Sequence, residues 1–249
     1  MKKELHKSFG FEEVETRERK TRIRRVFNSV APRYDLMNDL MSFGIHRLWK
    51  RRMIRFLKPG DGPRIIDLAG GTGDVARLMA RDKARHVTVC DASEAMMRAG
   101  KPLNCTHPAP LNWLAADGEA LPFTDESIDV ITIAFGLRNM TRPEASLRES
   151  VRALKPGGRF VCLEFSRPVF WLRPFYDFYS YVVIPRLGAF VAKEPMAYQY
   201  LIESIRRFPE QNAVKGLLED AGLENVSYKN LSFGIACIHS GVKPGKSKA

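Results

Sequence analysis

The stretch Ile65-Ile66-Asp67-Leu68-Ala69-Gly70-Gly71-Thr72-Gly73-Asp74 decides the fold. Ile65, Ile66 and Leu68 form a short apolar run, suited to a strand buried in a parallel sheet. Three glycines follow within four positions, and after Asp74 the residues Val75, Ala76, Leu78 and Met79 recur at helical spacing. Strand, glycine turn and helix in succession turn free N–H groups outward at a helix N-terminus, where a ligand can lie against bare backbone. Glycine suits the turn because a Cβ would block that approach and because the turn can require positive φ. Such a turn can also serve only helix–strand packing, so it decides little alone.

The next element narrows the choice. His86-Val87-Thr88-Val89-Cys90 reads as a second strand ending at Asp91. That is about 20 residues beyond the glycines, where an acid can accept both hydroxyls of an adenosine ribose. The pattern Gly70-Gly71-Thr72-Gly73 departs from the dinucleotide fingerprint G-x-G-x-x-G and is close to the E/D-x-G-x-G-x-G variant of S-adenosylmethionine enzymes. Turn and acid together indicate a nucleoside cofactor.

The alternation continues outward. Strands are predicted over 63–69, 86–91, 111–116, 128–135 and 159–165, with helices over 74–82, 93–99 and 143–154. Lys155-Pro156-Gly157-Gly158 reads as stop and turn, and two strands, 224–230 and 235–240, follow a helix over 212–221. The expected fold is α/β: a Rossmann-like, doubly wound, mostly parallel seven-stranded sheet in a single domain spanning 1–249. Residues 1–20 read as charged and loosely held. Residues 21–58 read as an N-terminal helical cap, broken by Pro32 and ended by Lys58-Pro59-Gly60. Residues 63–165 form the cofactor-binding core, 209–240 the C-terminal helix and strands, and 241–249 a flexible basic tail. Between core and C-terminus, 166–208 is rich in aromatics, including Phe170, Trp171, Phe175, Tyr176, Tyr179 and Phe190. That insertion serves either as the core of a helical lid or as the wall of a pocket for a large apolar molecule.

Composition bounds the function. The 249 residues, 45% apolar, suit one large domain. The formal net charge of +12 suits an acidic partner, nucleic acid or an anionic membrane surface, or simply a solvated basic face. The densest basic clusters are 17–25 and 47–55. Cys90, Cys105, Cys162 and Cys237 are scattered without a C-x-x-C pair, which disfavours a metal site or disulfides and points to a reducing cytoplasm. No apolar run approaches about 18 residues, so no membrane span is expected, and the N-terminus lacks a secretory signal.

Several further blocks matter, and Tyr34–Asn38, Gly44–Trp49 and Phe135–Asn139 within them are the most specific. The blocks are Val26-Phe27-Asn28-Ser29-Val30-Ala31-Pro32-Arg33-Tyr34-Asp35-Leu36-Met37-Asn38-Asp39, Met41-Ser42-Phe43-Gly44-Ile45-His46-Arg47-Leu48-Trp49-Lys50, Ala120-Leu121-Pro122-Phe123, Phe135-Gly136-Leu137-Arg138-Asn139, and Leu163-Glu164-Phe165-Ser166. With them, about residues 20 to 240 resemble the ubiquinone/menaquinone biosynthesis C-methyltransferases. The resemblance implies methyl transfer from S-adenosylmethionine to a ring carbon of a polyprenylated quinol: a demethylmenaquinol, a 2-polyprenyl-6-methoxy-1,4-benzoquinol, or both. By position it implies that Gly70 and Thr72 lie in the cofactor loop, that Asp91 takes the ribose diol, and that Asp117 and Gly118 lie along the adenine. Ala134 stands where the family often has Ser and is left out of the cofactor set. A polyprenyl substrate implies visits to the inner face of the membrane, and the family reading allows a homodimer or a quinone-biosynthesis complex.

For the chemistry, Arg138 is expected to stabilise a phenolate, since arginine stays protonated. His46 is the alternative base, and Tyr34 closes over cofactor or quinol. Three rivals remain: a nucleic-acid methyltransferase, a non-catalytic nucleotide-binding regulator, and a methyltransferase of another small apolar acceptor. The first lacks an Asn/Asp-Pro-Pro-aromatic turn after the fourth strand and a Pro-Cys pair.

Overall fold

The computed structural model describes residues 7–57, 63–81, 86–104, 110–183, 186 and 195–245. Phe190, Cys105, the Lys58-Pro59-Gly60 stop and the tail residues Lys246, Ser247 and Lys248 lie outside them. One sheet contains β1 (Arg64–Leu68), β2 (His86–Asp91), β3 (Asn112–Ala115), β4 (Ile128–Ala134), β5 (Leu154–Phe165), β6 (Glu224–Leu231) and β7 (Ala236–Val242). Their order across the sheet is β3-β2-β1-β4-β5-β7-β6. β7 is antiparallel to both its neighbours, and every other pair is parallel. The expected doubly wound, seven-stranded sheet is therefore present.

Strand periodicity explains the two cores. Successive side chains leave opposite faces, so Ile65 and Val130 join one buried cluster while Ile66, Leu68, Ile131 and Ile133 join the other. The central strands β1 and β4 are buried on both faces, as parallel strands covered by helices must be. The chain order reverses between β1 and β4, which opens a crevice at their carboxyl ends.

Around the sheet lie α1 (Thr16–Val30), α2 (Tyr34–Ser42), α3 (Ile45–Ile54), α4 (Asp74–Met79), α5 (Glu94–Gly100), α6 (Pro143–Ala153), α7 (Arg173–Phe178), α8 (Pro195–Arg207) and α9 (Gln211–Asp220). Between α2 and α3 the chain turns through Phe43 and Gly44, both at positive φ. Among the described residues no helix is long and apolar enough to cross a membrane.

Two boundaries differ from expectation. β5 begins at Leu154, so Lys155-Pro156-Gly157-Gly158 lies within a strand, across a register shift between Ile128 and Val130. The first helix begins at Thr16 rather than residue 21, and Ser8–Phe9 pairs with Glu12–Glu13 in a small hairpin ahead of it. The cause is Arg19, which is only 2% exposed. Its guanidinium donates to the carbonyls of Ser8 at 2.7 Å, Met140 at 2.9 Å and Arg138 at 3.3 Å. One cation thus pins hairpin and helix to the turn after β4. Arg19→Met should cost about 2–3 kcal/mol by leaving buried carbonyls without a donor. Urea unfolding checks this, and a variant as stable as the wild type would remove Arg19 from that role.

Candidate active site

The turn after β1 is built for close approach. Ala69, Gly71 and Gly73 all adopt positive φ. Gly70 is required from below: a Cβ there would lie 2.8 Å from the Asp67 carbonyl oxygen. Gly71 faces the crevice. Its N–H donates to Asp91 Oδ2 at 2.8 Å, while the Ser93 N–H donates to Asp91 Oδ1 at 2.7 Å. β2 ends at Asp91, so the sheet itself delivers this carboxylate to the turn. Burial raises its pKa above the ordinary carboxylate value, against the two N–H donors.

A cavity of 510 Å³ opens here at the carboxyl ends of the strands. Gly71, Asp91, Asp117, Gly118 and Tyr34 line it together with Met96, Met140 and Phe135. Each Asp91 oxygen accepts one backbone N–H and keeps a further lone pair, which is what two vicinal ribose hydroxyls need. Met96 and Met140 add apolar surface, and Gly118 packs so closely on Met140 that a Cβ would come 2.9 Å from its Cε. The cavity thus combines a diol acceptor with a flat apolar slot, and it suits an adenosyl group such as that of S-adenosylmethionine. Lys20 of α1 donates to Asp117 Oδ2 across the cavity mouth, and this pairing helps hold Asp117 below the usual carboxylate range.

Not every expected residue faces that cavity. Gly70 and Thr72 lie behind it. Thr72 is buried, with its hydroxyl donating to Asp35 Oδ1 at 3.3 Å and its carbonyl accepting from Arg77. Arg138 is 4% exposed and ion-paired with Glu164 at 2.7 Å, itself 1% exposed. The Arg138 N–H also donates to Glu164, and its guanidinium lies over the Phe165 ring. Its Nε is buried with no hydrogen-bond partner. His46 is buried too, with Nε2 at 2.9 Å from Asp39 Oδ1. Burial, then the neighbouring Lys50, lowers its pKa to about 4. Packing thus moves His46 away from the ordinary imidazole pKa on which its expected role as a base rested. Tyr34 keeps its proton, because burial raises its pKa.

Several site residues carried no signal in the sequence. Met96 and Met140 belong to no charged or glycine-bearing motif. Lys50 sits in a basic cluster, yet it is 4% exposed and paired with Asp74 at 2.5 Å. Glu164 did carry one: a lone acid in the apolar run of β5 needs a buried partner.

Residues 15–243 match the family described as the ubiE/COQ5 methyltransferase family. The chain is 57% identical to the ubiquinone/menaquinone biosynthesis C-methyltransferase UbiE of Rubrivivax gelatinosus, across 96% of this chain and 94% of that protein. It is 43% identical to the mitochondrial 2-methoxy-6-polyprenyl-1,4-benzoquinol methylase of Mus musculus, across 94% and 84%. Among solved structures it resembles a SAM-dependent methyltransferase of Thermotoga maritima with a TM-score of 0.63 at 20% identity, over 89% of this chain and 99% of that one. At that identity the likeness is one of fold, and it agrees with the sheet order found here. On a match that runs through cap, core and C-terminal strands alike, the chain belongs to the ubiE/COQ5 methyltransferase family.

Proposed function

We propose that this chain methylates a ring carbon of a polyprenylated quinol in respiratory quinone biosynthesis, with S-adenosylmethionine as the methyl donor. The observation that carries the reading is the cavity at the ends of β1, β2 and β4, lined by Asp91 beside the Gly71 N–H, in a chain whose relatives are quinone C-methyltransferases. S-adenosylmethionine supplies an electrophilic methyl on its sulfonium. The protein's part is to place an acceptor carbon in line and to hold charge at a ring oxygen as its proton leaves.

Asp91 and Gly71 hold the ribose side, while Asp117 and Gly118 border the adenine. Gly70 and Thr72 support the loop from behind. Tyr34 acts as a neutral donor at the cavity wall. The free Nε–H of Arg138 is the group left to stabilise a quinol oxygen, since Glu164 already occupies the other edge of the guanidinium. His46 has the weaker case: with a pKa near 4 it is neutral at pH 7, but it has little affinity for a proton. The acceptor's tail belongs in lipid, so the enzyme meets it at an anionic membrane surface. Exposed Phe43, Leu48, Phe170 and Phe175 would enter the interface, and Arg47, Arg51 and Arg55 of the neighbouring cap would face the headgroups.

Asp91→Ala should weaken S-adenosylmethionine binding at least about tenfold; an unchanged Kd by calorimetry would take Asp91 out of the site. Arg138→Lys keeps a cation beside Glu164 but loses the planar donor edge, so kcat should fall about 100-fold. His46→Gln should leave kcat within a few-fold, and the wild-type rate should show no inflection from His46 between about pH 6 and 8. The reverse ranking of the two variants would exchange their roles. Vesicles containing anionic lipid should co-sediment the protein at low salt, with binding lost at high salt; binding indifferent to lipid charge would refute the membrane contact.

A further inference from the structure

A second cavity of 260 Å³ lies among α3, α7, α8 and the end of β5. Trp49, Phe165, Leu172, Tyr176, Ile202 and Ile205 are among the residues of its wall. Its few polar members are already engaged. Ser42 donates to the Asn38 carbonyl and Ser180 to the Tyr176 carbonyl, each at 2.7 Å. Ser232 Oγ accepts from the Trp49 indole N–H at 2.9 Å. Arg206 pairs with Asp177 and lies over the rings of Tyr176 and Tyr181. Most of the lining is apolar or aromatic, so the site favours an apolar chain over a polar ligand.

Position gives the second observation. Phe135 lines the cofactor cavity and Phe165 lines this one, and their ring centroids are 4.6 Å apart. Trp49 packs against both, at 6.2 and 6.1 Å. One aromatic layer therefore separates the two cavities. On the opposite side the wall ends in Phe43 and Phe175, which are 73% and 72% exposed. Beyond them Trp171 and Phe233 pack edge to face and remain open to solvent.

We propose that this cavity takes the first isoprene units of the acceptor's polyprenyl tail, with the ring turned toward Phe135 and the rest of the tail leaving over Phe43 and Phe175. The inference rests on the quinol reading above. The site holds a few isoprene units, and the remainder of a long tail stays outside it in lipid. Identical repeating units need no directional contact, so a mainly apolar wall accepts tails of any length. The same wall shields from water the border at Phe135, where the ring would meet the cofactor cavity.

The test compares two demethylated quinols, one without a tail and one farnesylated, both kept reduced. The wild type should show a KM at least about tenfold lower for the farnesylated substrate, equivalent to burying roughly two methylene groups. Leu172→Trp and Ile205→Trp fill the cavity from different elements. Each should raise the farnesylated KM by about tenfold and leave the tail-less KM within about twofold. Melting temperature and S-adenosylmethionine affinity are measured alongside, so that a folding defect in one variant is recognised and the other decides. A farnesyl diazirine, applied without methyl donor, should label peptides around 172–179 and 202–206 in the wild type and not in the variants. Equal effects on both substrates, no effect on either, or labelling elsewhere would overturn the tail site while leaving the quinol reading intact. Methylation of neither substrate by the wild type would sink that reading, and the tail site with it.

Discussion

The cofactor turn keeps its shape because a carboxylate is buried beneath it. Asp67 is 1% exposed. Its Oδ2 accepts the Ala76 N–H in the first turn of α4, and its Oδ1 accepts the Thr132 hydroxyl from β4, both at 3.0 Å. Gly70 passes directly over it, where a Cβ would come 2.9 Å from Oδ2. One side chain therefore ties β1, β4, α4 and the turn together. Burial has a cost, raising the Asp67 pKa to about 7. Ala69 and Phe135, at the ends of the neighbouring strands β1 and β4, both sit at positive φ. Each such residue costs about 1 kcal/mol or more, and the anchoring below the turn offsets that strain. The crevice at the switch point is thus held open by an interaction that no ligand touches.

The turn after β4 is held from three sides. Glu164 of β5 takes the Arg138 N–H and guanidinium. Arg19 of α1 takes the carbonyls, and Tyr200 of α8 donates to Asn139 Oδ1 at 3.1 Å. Cap, sheet and insertion meet on a few residues, of which Asn139 walls the cofactor cavity. The cap is tied to the core elsewhere as well: Ser93 donates to Asn28 Oδ1 at 2.8 Å, and Lys50 pairs with Asp74. A buried ion pair is weak evidence for stability, since desolvation cancels much of the attraction. Its effect here is orientation, because a guanidinium held by Glu164 presents its remaining edge in one direction only.

Legibility followed the range of the signal. Strands, helices and Asp91 were readable because periodicity and a spacing of about 20 residues act locally along the chain. Gly70 and Gly71 were readable as a pair, but their division of labour was not, since it depends on Asp67 below one and Asp91 beside the other. Arg19 was hidden because a cation in a charged stretch looks solvated, and its partners lie 119 to 121 residues away. The same holds for Lys50. His46 misled for a related reason: a histidine's working pKa depends on burial, and burial comes from tertiary packing. The buried partner of Arg138, Glu164, was in plain view in Leu163-Glu164-Phe165, where an acid in an apolar strand has few ways to be satisfied.

Two buried cations touch Phe135 of a cavity that takes a sulfonium: Arg138 donates to its carbonyl and Lys50 lies over its ring. At separations of a few ångströms inside a protein, two like charges repel by several kcal/mol at an effective dielectric near 20. Unpaired, Arg138 and Lys50 would oppose a cationic ligand. Each instead brings its own carboxylate, Glu164 and Asp74, so what reaches the cavity is a dipole whose field falls off faster than that of a charge. Such an arrangement spares the positively charged donor in the ground state. In the mechanism proposed above it still leaves an N–H of Arg138 for negative charge that develops on the acceptor. The selective element is thus the pairing, and the aromatic layer of Trp49, Phe135 and Phe165 beside it keeps the surroundings dry enough for the pairing to matter.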